Sequence, residues 1–104
     1  MAKYAFVYHG GGGMAATEEE QQAIMAEWGA WYEAMGAAIV DGGAPVMMAK
    51  TVSADGVSDG GGSNPATGYT VITVDSLDAA VEHAKGCPEL KRGGSVEVAE
   101  LIEM

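Results

Sequence analysis

The chain reads as an α+β protein, with one antiparallel sheet and two helices on one of its faces. Three observations predict this. Lys3 to His9 alternates in a strand pattern. Thr17 to Met35 carries an apolar stripe at helical spacing behind a capping box. Gly68 to Glu100, GYTVITVDSLDAAVEHAKGCPELKRGGSVEVAE, spells strand, capped helix, stop, turn and strand in succession.

In the first element Tyr4, Phe6 and Tyr8 alternate with Ala5, Val7 and His9, and Gly10 to Gly13 end the strand. Thr17 with Glu20 three residues on forms a capping box, and Glu18, Glu19 and Glu20 occupy the positive end of the helix that follows. Ile24, Met25, Trp28, Trp31, Tyr32 and Met35 form one broad apolar face, with both tryptophans read as core, and Gly36 is the stop. Ala38 to Ala44 is the second strand, diluted by Gly42 and Gly43. Pro45 to Asp59 is expected to hold an accessory hairpin, with Met48 to Val52 as one arm and Asp55-Gly56 as the turn. Gly60 to Thr67 is a polar loop before the strand Gly68 to Val74. Ser76 caps a helix whose Leu77, Ala80, Val81 and Ala84 face inward, and Gly86 with Pro88 ends it. Gly93-Gly94 turns the chain into a last strand, Ser95 to Ile102.

The order βαβ, hairpin, βαβ is that of the ferredoxin-like βαββαβ sandwich, read as a single domain over residues 1–104. The helices cover one face of such a sheet. Several residues on the other face are apolar, so a second copy is expected to cover it, giving a homodimer with its sheets face to face.

Composition narrows the function. Fifteen acidic residues against five basic ones give a net charge of −10, a field that repels phosphate backbones and anionic membranes. Neither nucleic acid nor membrane is therefore expected as a partner. The single cysteine, Cys87, excludes an intrachain disulfide and fits a reducing compartment. The opening MAKYAFVYHG lacks the apolar core of a signal peptide, and no apolar run approaches the roughly 20 residues of a membrane span. A cytoplasmic protein is expected.

The strand KYAFVYHG, the segment GAAIVDGG and above all GYTVITVDSLDAAVEHAKGCPELKRGGSVEV make the chain resemble the YCII-related family, in the branch often marked by a DGPF motif. The resemblance covers nearly the whole chain. It implies the dimeric α/β-barrel version of the ferredoxin-like fold. Where the branch has DGPF, this chain has Asp59-Gly60-Gly61-Gly62-Ser63. Some members resemble dehydrochlorinases that use a histidine on the first helix, but Thr17 to Met35 contains none, so that mechanism does not carry over.

Several motifs imitate chemistry without its context. Gly56-Val57-Ser58-Asp59-Gly60 fits G-x-S-x-G and His9-Gly10-Gly11-Gly12 resembles an oxyanion motif, but a glycine-rich loop follows Ser58 where a nucleophile elbow needs a helix. Gly10-x-Gly12-x-x-Ala15 lies between strand and helix like a dinucleotide fingerprint. Three glutamates, however, crowd the helix start where a pyrophosphate would sit. Cys87 at a helix end is read as packing, since the local dipole disfavours a thiolate. His83 is read as a surface residue. No spacing suggests a metal site, and no cofactor is implied.

One constellation remains. In the expected sheet the last strand lies antiparallel to the first, which brings His9 to the start of the last strand, near Ser95 and Glu97. If they share a face, the pair opens onto the cavity between subunits, with Tyr69 as a binding neighbour and Asp41 as a second acid. A carboxylate there favours the protonated ring and makes His9 a usable general acid or base. The leading expectation is a YCII-related homodimer of unassigned activity that binds a small organic molecule or serves as an accessory domain. The alternative is an acid–base lyase or isomerase with His9 as proton shuttle and Glu97 or Asp41 as orienter. A purely structural dimerisation domain is the third reading.

Overall fold

The computed structural model of the chain describes residues 2–10, 17–62 and 64–102. It contains strands β1 (Ala2–His9), β2 (Ile39–Asp41), β3 (Lys50–Ser53), β4 (Gly56–Asp59), β5 (Ala66–Val74) and β6 (Ser95–Leu101), with helices α1 (Glu18–Met35) and α2 (Leu77–Ala84). Four strands form one sheet in the order β2-β5-β1-β6, and β3 pairs only with β4. Every pairing is antiparallel. The fold is thus α+β, and its strand order is compatible with the ferredoxin-like arrangement.

Period-2 alternation divides the sheet cleanly. Phe6 lies opposite Thr70 on one side and Val98 on the other, so all three share the face under the helices. That face holds the core: Tyr4, Phe6, Tyr8, Ile72 and Val74 from the sheet, with Trp31, Met35, Ala80 and Ala84 from the helices. Phe6 stacks on Trp31 at 5.8 Å between ring centroids. The Trp31 indole N–H donates to the His83 carbonyl at 2.8 Å and so ties α1 to α2. Gly86 lies against the same indole, where any β-carbon would meet it.

The local signals act where they stand. Thr17 Oγ1 accepts the Glu20 N–H at 3.1 Å at the start of α1, and Ser76 Oγ accepts the Ala79 N–H at the start of α2. Other expectations are corrected. The second strand is not Ala38 to Ala44: Gly36–Ala38 form a 3₁₀ turn, and Gly43, at φ +71°, leaves the strand. A β-carbon at Gly43 would collide with the Tyr69 carbonyl, so glycine is required there. The hairpin arm begins at Lys50 rather than Met48, and Ala54 and Asp55 make the turn. Leu77 is exposed rather than inward, leaving Ala80 and Ala84 as the buried contacts of an eight-residue helix. Pro88 does more than stop α2. It opens a 3₁₀ turn, Pro88–Arg92, which Gly93 closes at φ +82°.

Ser58 stands on the exposed strand β4, so no nucleophile elbow exists. The Gly10-to-Ala15 motif extends outside the described residues. Cys87 is buried, and burial pushes its thiol up to about 11, which fits packing. His83 is partly buried rather than a free surface residue. Among the described residues no helix is long and apolar enough to cross a membrane, and no cluster of metal-ligating side chains occurs.

Candidate functional site

The two faces of the sheet carry two different groupings. On the open face, β1 and β6 bring His9 and Glu97 together, with Nε2 3.0 Å from Oε1. His9 is buried, whereas the Glu97 side chain is 62 % exposed. The other ring nitrogen, Nδ1, lies 3.0 Å from the Asn64 carbonyl and 3.3 Å from that of Pro65. A carbonyl only accepts, so Nδ1 carries a proton and donates. Both ring nitrogens are thus engaged by the protein.

Asp41 does not join this pair. It stands on β2, at the opposite edge of the sheet from β6, with β5 and β1 between. Three strand spacings amount to about 14 Å. Its Oδ1 instead accepts the Gly43 N–H at 2.8 Å and shapes the turn after β2. Tyr69 lies opposite Val7, as does Glu97, so the register puts all three on the open face. Its backbone N–H donates to the Ala44 carbonyl at 3.3 Å, which makes it part of a different feature.

That feature is a cavity of about 540 Å³ on the helix side, along α1 from Gln21 to Tyr32. Its walls come from α1 (Ile24, Met25, Trp28, Tyr32), the turn after β2 (Gly42 to Pro45), the start of β5, Tyr8, and the 3₁₀ turn (Glu89, Arg92). The rings are set nearly at right angles: Tyr8 to Trp28 at 5.0 Å and 83°, Trp28 to Tyr32 at 6.1 Å and 82°. Edge-to-face contacts of this kind hold aromatic walls rigid.

Beneath them runs a closed polar network. Tyr8 Oη donates to Thr70 Oγ1 at 2.7 Å, Tyr32 Oη lies 2.8 Å from the same hydroxyl, and both Tyr32 Oη and Thr70 Oγ1 reach the Gly42 carbonyl. Burial raises the Tyr8 phenol well above its ordinary value, so it remains a neutral donor. The network locks the rings that face the cavity without offering an ionised group.

Glu89 and Arg92 are the charged residues of the wall, and Glu89 is the buried one. It is only 8 % exposed and lines the cavity. Its backbone carbonyl accepts the Gly94 N–H at 3.0 Å, and among the described residues no buried side-chain nitrogen or oxygen lacks a hydrogen-bond partner. Sequence reasoning missed both the cavity and this residue. The aromatic stripe on α1 reads as core, and Gly86 with Pro88 as the stop of the second helix. The available signal was the width of that stripe, which carries more large side chains than a short sheet can bury.

Compared with known proteins, no protein-family model matches the chain and no curated protein matches it.

Proposed function

We propose that this protein is a YCII-related small-molecule-binding or accessory domain, whose ligand occupies the aromatic cavity beneath α1. The observation that carries the reading is the cavity itself: about 540 Å³, the size of a small-ligand site, walled by Trp28, Tyr32 and Ile24 with a few polar groups at one end. The fold in this reading is the ferredoxin-like sandwich, paired as a dimeric α/β barrel. The open sheet face supports the pairing, since Ala5, Val7, Val71, Ala99 and Leu101 leave an apolar surface that a second copy would cover.

The neutral dye N-phenyl-1-naphthylamine tests the cavity. Saturable binding that quenches tryptophan emission is expected, weakened at least tenfold in Ile24→Phe, which fills the space. Absence of saturable binding overturns the reading. For the pairing, sedimentation equilibrium is expected to return twice the chain mass, and Val7→Arg half of that.

A second reading, an acid–base lyase or isomerase, draws support from the His9–Glu97 contact at 3.0 Å. It requires the His9 ring to exchange its protons readily. Ring N–H signals that persist in water at neutral pH would remove it. The binding reading stands first because both ring nitrogens of His9 are already engaged and the cavity does not reach them.

A further inference from the structure

We propose that the β3–β4 hairpin is an arm that packs against a second copy of this chain. The inference rests on the pairing reading and adds the segment that completes the contact. Both strands pair only with each other, and all eight of their residues are exposed. An isolated two-stranded hairpin is marginal in water and needs a further layer to hold it. Among the described residues no other element packs extensively on β3 or β4. The radius of gyration, 14.8 Å, accordingly exceeds the roughly 13 Å of a compact chain of this length.

Alternation gives the hairpin two unlike faces. The register sets Lys50 opposite Asp59 and Val52 opposite Val57, so these four share a face, while Thr51, Ser53 and Ser58 stand on the other. Met48 joins the first face, lining one shallow hollow with Lys50 and Asp59. Among the described residues six large apolar side chains are at least 65 % exposed, and four of them, Met47, Met48, Val52 and Val57, stand on this arm. An apolar group of that size in water marks a contact surface.

Dimensions and charge select a second copy as the occupant. Four strands about 4.8 Å apart, with β6 seven residues long, present at most roughly 450 Å² of open face. A stable pair buries about 800 Å² on each partner, so the sheets alone fall short. A two-fold axis makes every arm contact twice, once from each chain, and so doubles what the arm adds. The Lys50 ammonium donates to Asp59 Oδ1 at 3.0 Å, which leaves the apolar face without net charge. Such a face suits a partner of charge −10, which would repel an acidic one.

Sedimentation equilibrium of the native chain, Val52→Asp and Ser58→Asp tests the arm, since the two variants add the same charge on opposite faces of one hairpin. Val52→Asp is expected to weaken self-association at least tenfold, because it buries an unpaired charge, and Ser58→Asp less than threefold. Equal behaviour of the two variants overturns the arm and leaves the pairing of the sheets standing. A native chain that sediments as a monomer overturns both. A native dimer mixed from ¹³C-labelled and unlabelled chains separates a lost contact from a loosened hairpin. Filtered nuclear Overhauser spectra are expected to show the Met48, Val52 and Val57 methyl groups against the unlabelled chain, and their absence overturns the arm.

Discussion

The two faces of the sheet hold their buried polar side chains in different ways. On the open face His9 is buried with every ring donor engaged, by Glu97 on one side and by the Asn64 and Pro65 carbonyls on the other. On the helix face the buried polar groups are neutral: the Tyr8, Thr70 and Tyr32 hydroxyls bond one another and the Gly42 carbonyl beside the cavity. His9, conspicuous in the sequence, acts as a clamp that fastens the chain before β5 to the sheet. Tyr8 and Tyr32 line the space that a ligand can enter.

The largest test of this contrast is the difference between the faces in packing. Phe6→Ala empties a fully buried position and should cost about 3–5 kcal/mol in urea unfolding. Val7→Ala, one residue on and facing the other way, should cost less than about 1 kcal/mol in the monomer. Equal losses would erase the distinction between the faces.

Next comes the clamp. His9→Ala should cost about 1–2 kcal/mol, mostly from the buried ring and its Nδ1 donor, since the exposed Glu97 end is screened by water. Hydrogen exchange should quicken first at Ala66 and Thr67. A uniform change across the sheet would argue against a local clamp.

A smaller effect follows from pH on the helix face. The Cys87 thiol is raised by burial from 9.0 to about 11, so its neutral form stabilises the fold fully below pH 9. That contribution is lost as pH rises from about 9 through about 11, because the unfolded thiol ionises first. Between pH 8.5 and 10.5 the native protein should lose on the order of 1 kcal/mol, a few degrees in Tm, beyond what Cys87→Ala loses. The buried Tyr8 phenol, also raised, adds a loss common to both proteins at the upper end.

Much of the fold was legible in the sequence, and the reason is locality. The caps at Thr17 and Ser76 act over three residues, and the alternation of Tyr4, Phe6 and Tyr8 over two. The pairing of β1 with β6, which brings His9 to Glu97, followed from topology once the element order was read. The errors fell where packing overrides pattern. Gly43 ends β2 early because it must approach Tyr69 closely, and Leu77 is exposed because only Ala80 and Ala84 fit beneath the short second helix.

By itself the sequence determined the kind and order of the elements, the acidic field and the two faces of the central strand, since each depends on neighbours along the chain. Tertiary structure alone decided which titratable groups are satisfied. His9 meets Asn64 across 55 residues and Glu97 across 88, and Tyr8 meets Thr70 across 62. Whether a polar group has a partner depends on distances of about 3 Å between segments remote in sequence, which no local pattern encodes.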